Sequence, residues 1–211
     1  MPLTIIADHK IPFLRGVIEP HAVVEYLPAD KITRQAIMKA DALIIRTRTK
    51  CKELLLKGTP VKYIATATIG HDHIDSDYCR IAGISWSNAP GCNASSVMQY
   101  LASALAHITL TDHKRFDDYC IGIIGAGHVG TRVMHLAQVL GMKVLINDPP
   151  RERAEGPAGF TELNDLLEQS DIVSMHMPLF YHGPYKSFHL ANTLFFDAMK
   201  PGTWFINTAR G

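Results

Sequence analysis

Apolar residues along the first half of the chain fall into short, nearly continuous runs separated by stretches of helical spacing. Leu3 to Ala7, Ala22 to Leu27, Ala42 to Ile45, Val61 to Ala65 and Ile84 to Trp86 have the length and continuity of strands buried on both faces. Between them Ile32, Ala36, Ile37 and Ala40 mark one helical face, and Leu54 to Leu56 and Tyr78 to Ala82 mark two shorter ones. This βαβ alternation predicts an α/β architecture with a parallel sheet. The turn-forming stretch Ser87-Asn88-Ala89-Pro90-Gly91-Cys92-Asn93 interrupts it, and a domain boundary is placed there, giving residues 1–92 and 93–211. Beyond it Ala94, Val97, Met98, Leu101, Ala102, Leu105 and Ile108 share one stripe, which predicts a long helix capped by Asn93 with a buried face between the domains.

The rhythm then resumes with a distinctive turn. The strand Cys120 to Ile124 runs into Gly125-Ala126-Gly127-His128-Val129-Gly130, and Val129, Val133, Leu136, Ala137 and Leu140 recur at helical spacing until Gly141. In such a unit Gly125 allows a sharp turn, Gly127 allows backbone to approach a pyrophosphate, and Gly130 lets the helix pack close to its strand. Free amides at the helix start face the anion. The next strand, Lys143 to Asp148, ends in an acid roughly twenty residues on, where a ribose hydroxyl would lie. Strand, glycine turn, helix, strand and acid together predict a dinucleotide site. Next come Pro149-Pro150, a helix carrying Leu163, Leu166 and Leu167, and a strand from Asp171 to Met175. The turn His176-Met177-Pro178-Leu179, an insert from Phe180 to Leu190, a helix near Thr193 to Met199 and a strand from Trp204 to Asn207 complete the pattern.

Composition narrows the chemistry. With 211 residues and 47% hydrophobic content the chain supports genuine cores, and a net charge of +1 provides no basic field for nucleic acid or an anionic membrane. Cys51, Cys79, Cys92 and Cys120 form no Cys-x-x-Cys pair and read as reduced thiols of a cytoplasmic protein. The opening residues lack a signal-peptide pattern, and no apolar run has the length of a membrane span. Polar residues gather where strands end. Arg46-Thr47-Arg48-Thr49-Lys50 follows one, and Thr66-Ala67-Thr68-Ile69-Gly70-His71-Asp72-His73-Ile74-Asp75 follows another, so the pair suggests an acidic ligand. His71 and His73 with the nearby acids are weak grounds for a metal site, and Asp72 or Asp75 serves equally to cap a helix starting near Ile74.

With these motifs in hand, the chain resembles the D-isomer-specific 2-hydroxyacid dehydrogenases along its whole length. The shared features are Asn88-Ala89-Pro90-Gly91, the Gly125 to Gly130 turn, His176-x-Pro178-Leu179, and Pro201-Gly202 leading to Asn207-Thr208-Ala209-Arg210-Gly211. The 66–75 segment, Pro90-Gly91-Cys92-Asn93-Ala94 and Asp148-Pro149-Pro150-Arg151 resemble, more narrowly, the branch that oxidises 4-phospho-D-erythronate in vitamin B6 synthesis. So do Gly183-Pro184-Tyr185-Lys186 and His189-Leu190. The resemblance implies a flavodoxin-like substrate domain followed by an NAD-binding Rossmann domain, with substrate in the cleft between them. It implies that Thr47 and Thr68 contact a small phosphorylated hydroxyacid, and that Arg210 is the catalytic arginine holding its carboxylate. It places Gly125, Gly127, His128, Val129, Gly130, Asp148, Met177, Thr208, Ala209 and Arg210 against NAD, with Met177 standing where the branch tends to have threonine. Asp148 favours NAD, because a carboxylate repels the 2′-phosphate of NADP. The family's general acid/base histidine and partner glutamate follow the segment matched by Arg210-Gly211, as do the last Rossmann strands and the dimerisation region. An incomplete Rossmann domain, an inactive 211-residue chain and a homodimeric complete protein are therefore expected. A phosphoglycerate-type dehydrogenase and an NAD-sensing corepressor of the C-terminal-binding type stay open as alternatives.

Overall fold

The structure, a computed structural model, describes residues 2–209, and Arg210 lies outside the described residues. The chain forms two compact units, Met1–Cys92 and Asn93–Gly211.

In the first unit β1 (Leu3–Asp8), β2 (Ala22–Leu27), β3 (Ala42–Ile45), β4 (Tyr63–Thr66) and β5 (Ser85–Ser87) make one parallel sheet in the order β2-β1-β3-β4-β5. This is the flavodoxin-like order. The connections carry the short helices α1 (Arg34–Ile37), α2 (Glu53–Leu56) and α3 (Ser76–Ile81). Side chains alternate across the sheet as the pleat requires. Ile6, Leu43 and Ile64 are adjacent in register and fully buried against Ile37, Leu56 and Cys79, while Ile5 and Ala42 pack on the other face with Ile18. The helical face expected from Ile32 to Ala40 shortens to α1 because Thr33 caps it, its hydroxyl accepting from the Ala36 amide. Ile32 and Ala40 are nonetheless buried in the flanking turns. Asp75 caps α3 by accepting from the Tyr78 amide.

In the second unit β6 (Cys120–Ile124), β7 (Lys143–Asn147), β8 (Ile172–Met175) and β9 (Trp204–Asn207) pair in parallel in the order β7-β6-β8-β9. Around them lie α4 (Ala94–Asp112), α5 (His128–Val139), α6 (Pro149–Glu155), α7 (Leu163–Gln169) and α8 (Thr193–Asp197). Ile121 and Ile123 of β6 face Leu101, Leu105, Val133 and Ala137, whereas Ile124 packs with Leu166, Leu167, Val173 and Phe195. Two expectations about α4 need correction. Its apolar stripe, expected to face across the domain boundary, is spent on the second unit's own core, where Leu101, Leu105 and Ile108 meet α5 and β6. Asn93 holds the N-cap position but makes no side-chain cap bond, since its backbone (φ −105°, ψ 5°) is not the extended one that aims a cap side chain at the first turn. A helix missed by the pattern, α6, opens directly on Pro149-Pro150. Proline at a helix's first positions loses no internal bond, and Asp148 caps it.

Candidate functional site

Strand β6 is where the second sheet changes direction, because the chain leaves it first toward β7 and then returns to its other side as β8. Open parallel sheets bind ligands at the carboxyl ends of strands beside such a switch point. Here the turn after β6 meets the turn after β8. Gly125 has φ +88°, and a β-carbon on it would stand 2.7 Å from the Met177 nitrogen. A β-carbon on Gly130 would collide with the Gly125 carbonyl oxygen. Gly127 differs, since a β-carbon there would meet nothing within 4 Å. Two of the glycines thus hold the turn against its surroundings, and the third keeps an exposed backbone at the start of α5 open to an incoming group. His128 beside it is exposed and Val129 is half-buried.

Ala126, between those glycines, is gripped on both sides of its residue. Its amide donates to Asp148 Oδ2 at 2.7 Å, and its carbonyl accepts from Arg151 Nη1 at 2.8 Å and from Thr131 Oγ1 at 2.8 Å. The second Asp148 oxygen accepts from the Arg151 amide at 3.0 Å as the cap of α6. The Arg151 guanidinium is itself held bidentately by Glu155, with Nε–Oε1 at 2.7 Å and Nη2–Oε2 at 2.8 Å. The sequence singled out Arg151 only within Asp148-Pro149-Pro150-Arg151 and as a group that could turn toward a 2′-phosphate, and Glu155 not at all. Their spacing of four along a short helix was the available signal. An open glycine, a helix start and a fixed carboxylate at one sheet end form a cradle whose chemistry fits a dinucleotide.

At the neighbouring end of β8, His176 is clasped by hydroxyls. Thr208 Oγ1 lies 2.7 Å from His176 Nδ1 and 3.3 Å from the Met175 carbonyl, which accepts. Ser174 Oγ lies 3.0 Å from Nε2, so each ring nitrogen has a hydroxyl partner. Burial pushes the His176 pKa down to about 4, and the ring is neutral near pH 7. With both nitrogens spoken for, His176 is poorly suited to take a proton from a substrate. It ties β8 to the segment Thr208-Ala209, where the Ala209 amide donates to Asn207 Oδ1 at 2.9 Å.

In the first unit the two polar loops come together at the carboxyl ends of β3 and β4. Cys51 bridges to Ile74 in parallel fashion, its amide donating to the His73 carbonyl at 2.8 Å and its carbonyl accepting from the Asp75 amide at 2.9 Å. Thr47 lies exposed in the first loop, and Thr68 is half-buried in the second. The Ala89 amide donates to the Thr68 carbonyl at 3.1 Å and Asn88 Nδ2 to the Ile69 carbonyl at 2.7 Å, which pins the 88–91 turn beneath the second loop. His71 and His73 do not converge: the first ring lies against Trp86 with centroids 4.8 Å apart, and the second is buried and bonded to Thr66. Among the described residues no group of three or more potential metal ligands gathers. All four cysteines are free, with Cys92 the exposed one. No helix among the described residues is long and apolar enough to cross a membrane.

Comparison with known proteins meets this geometry. Erythronate-4-phosphate dehydrogenase of Bacteroides fragilis is 48% identical over 210 residues, covering 99% of this chain and 60% of the relative. The Porphyromonas gingivalis protein of the same name is 42% identical over 193 residues, covering 92% of this chain and 52% of the relative. The chain thus spans between half and two thirds of the length of these relatives. Among solved structures, 3-phosphoglycerate dehydrogenase of Entamoeba histolytica with bound NAD+ superimposes with TM-score 0.78 at 25% identity, covering all of this chain and 72% of that one. D-Lactate dehydrogenase of Aquifex aeolicus, complexed with NAD and lactic acid, gives TM-score 0.75 at 26% identity over 99% of this chain and 69% of that one. Residues 103–211 match the D-isomer specific 2-hydroxyacid dehydrogenase NAD binding domain, the stretch that contains the glycine turn, Asp148 and the His176 turn, and the chain belongs to that family of NAD-dependent oxidoreductases.

Proposed function

We propose that the protein oxidises 4-phospho-D-erythronate to 2-oxo-3-hydroxy-4-phosphobutanoate with NAD, a step of vitamin B6 biosynthesis, with residues 1–92 as substrate domain and residues 93–211 in the NAD-binding domain. The observation that carries this reading is the switch-point cradle, in which Asp148 and Arg151 lock Ala126 while Gly127 stays open. Relatives named for this substrate, matched over nearly the whole chain, support the choice of hydroxyacid. The backbone of Gly125, Gly127, His128, Val129 and Gly130 holds the pyrophosphate, Asp148 receives the ribose, and Met177, Thr208 and Ala209 line the nicotinamide side. When bound, NAD supplies the acceptor for the hydride that leaves C2. Thr47 and Thr68 hold the phosphorylated hydroxyacid. Arg210, outside the described residues, orients its carboxylate with a guanidinium fork and polarises the C2 oxygen. Asp148 disfavours the extra phosphate of NADP, and Arg151, already paired with Glu155, does little to offset that. Free cysteines agree with a cytoplasmic setting, and the family resemblance suggests a homodimer.

The test is turnover and binding in the full-length protein. NADH formation is expected with 4-phospho-D-erythronate and far less with 3-phospho-D-glycerate, and NAD should bind at least tenfold more tightly than NADP. Arg210→Ala should abolish most turnover while leaving NAD affinity largely intact, since a charge-assisted bond to a carboxylate is worth roughly 1.5–3 kcal/mol. Preference for phosphoglycerate, or equal affinity for the two cofactors, would overturn the corresponding part of the assignment.

A further inference from the structure

Thr68 ends a one-way chain of hydrogen bonds that begins in the core of the first unit. Its hydroxyl lies 3.0 Å from the carbonyl oxygen of Gly70, which only accepts, so the Thr68 proton points there. Thr66 Oγ1 stands 2.7 Å from Thr68 Oγ1, and with the single Thr68 proton engaged, Thr66 is the donor of that pair. His73 Nε2 stands 2.9 Å from Thr66 Oγ1, and with the Thr66 proton engaged in turn, the ring donates. In this arrangement protons run from His73 to Thr66 to Thr68, with the His73 proton on Nε2. His73 is 0% and Thr66 2% exposed, so bulk water cannot stand in for either.

We propose that His73 and Thr66 are positioning residues that commit the Thr68 hydroxyl to donate outward, to an anionic oxygen of a phosphorylated hydroxyacid held at the end of β4, an inference that rests on the function proposed above. A threonine hydroxyl has one proton and two ways to use it. Were Thr66 free to accept, Thr68 would turn its proton inward and present only lone pairs to an anion. With the His73 proton on Nε2, that arrangement is closed, because reversing a link would set two protons against each other in a site that water does not reach. The Thr68 proton then has two destinations, the Gly70 carbonyl and a ligand oxygen. A charge-assisted bond is roughly twice as strong as a neutral one, so an anion wins. The backbone of the loop does not depend on this relay, since the bonds from Ala89 and Asn88 and the Cys51–Ile74 bridge hold it in place.

The experiment compares Thr66→Val, which keeps the shape and removes the middle link, with Thr66→Ser, which keeps the hydroxyl, in the full-length protein. Calorimetric titration with 4-phospho-D-erythronate should show the dissociation constant rising about tenfold or more for the valine variant, and staying within a few-fold of the parent for serine. NAD affinity should stay within about twofold in both. Unchanged hydroxyacid affinity in a folded Thr66→Val protein overturns the inference alone. A parent protein that fails to bind 4-phospho-D-erythronate overturns the functional reading, and the outward donor role with it. Should the valine variant fail to fold, ¹⁵N spectra of the parent's histidine rings decide the matter. Nε2 of His73 must carry a proton, and a bare Nε2 rules the relay out.

Discussion

At the scale of single residues, the glycines and His176 make different demands on the same turn region. Gly127→Ala adds a methyl group to open space, so the fold should lose under about 1 kcal/mol while NAD affinity drops at least tenfold, the methyl now standing where a pyrophosphate approaches. Gly130→Ala drives the same methyl into the Gly125 carbonyl, and there the loss should appear in stability, roughly 1–3 kcal/mol or more. Denaturant unfolding beside cofactor titration separates the two, and matching stability losses would contradict the geometry. His176 makes a prediction about pH. Its folded pKa is depressed to about 4 from 6.5, so between those values the unfolded chain binds a proton that the folded chain refuses. Stability from this group is fully present above about pH 7 and falls as pH drops through that window, with a slope of at most about 1.4 kcal/mol per pH unit. Carboxylates titrate at the lower end of the same range, so the informative quantity is the difference between the parent and His176→Gln. That difference should shrink as the solution is acidified from pH 7 to 4.5, and a constant offset would mean that the ring is not held neutral.

At the scale of elements, one carboxylate joins two of them. Asp148 caps α6 through Oδ1 and holds the turn before α5 through Oδ2. Asp148→Ala should therefore loosen residues 149–155 and residues 125–128 together, with about 1–2 kcal/mol lost overall and faster amide exchange in both segments. Exchange that rises in α6 alone would show that the turn stands without its tie. The same element explains what the sequence made legible. Continuous apolar runs revealed the strands, and the glycine turn with Asp148 marked the cradle, because local spacing carries that information. Pro149-Pro150 hid α6, since prolines that break a helix interior are compatible with its first turn and the pattern alone does not distinguish the two. The stripe on α4 announced a buried face without naming its partner. The contacts of Thr66 with His73, and of His176 with Thr208, were not legible at all. Hydroxyl-to-imidazole bonds depend on which loops meet, and no periodicity records that.

At the scale of the whole molecule, the two units each have their own sheet and their own buried clusters, so the proposed ligands should leave separate footprints. The groups assigned to NAD sit at strand ends of the second unit, in residues 125–130, 148–151, 176–177 and 208–209, while the phosphorylated hydroxyacid is assigned to residues 46–51 and 66–75 of the first. A ligand present at a hundred times its dissociation constant stabilises the bound form by about 2.7 kcal/mol, enough to slow exchange from openings that expel it by roughly a hundredfold. Hydrogen exchange with NAD alone should accordingly be slowed in the second unit's four segments and little changed at 46–51 and 66–75. With 4-phospho-D-erythronate alone the order should reverse, and slowing should include the Thr68 and Gly70 amides, whose loop yields its hydroxyl proton to the ligand. If NAD slowed both sets equally, the units would be energetically coupled before substrate arrives, and the division of labour between residues 1–92 and 93–211 would have to be given up. Protection by NAD confined to the first unit would remove the cradle itself, because the open glycine at a helix start beside a fixed carboxylate lies in the second unit.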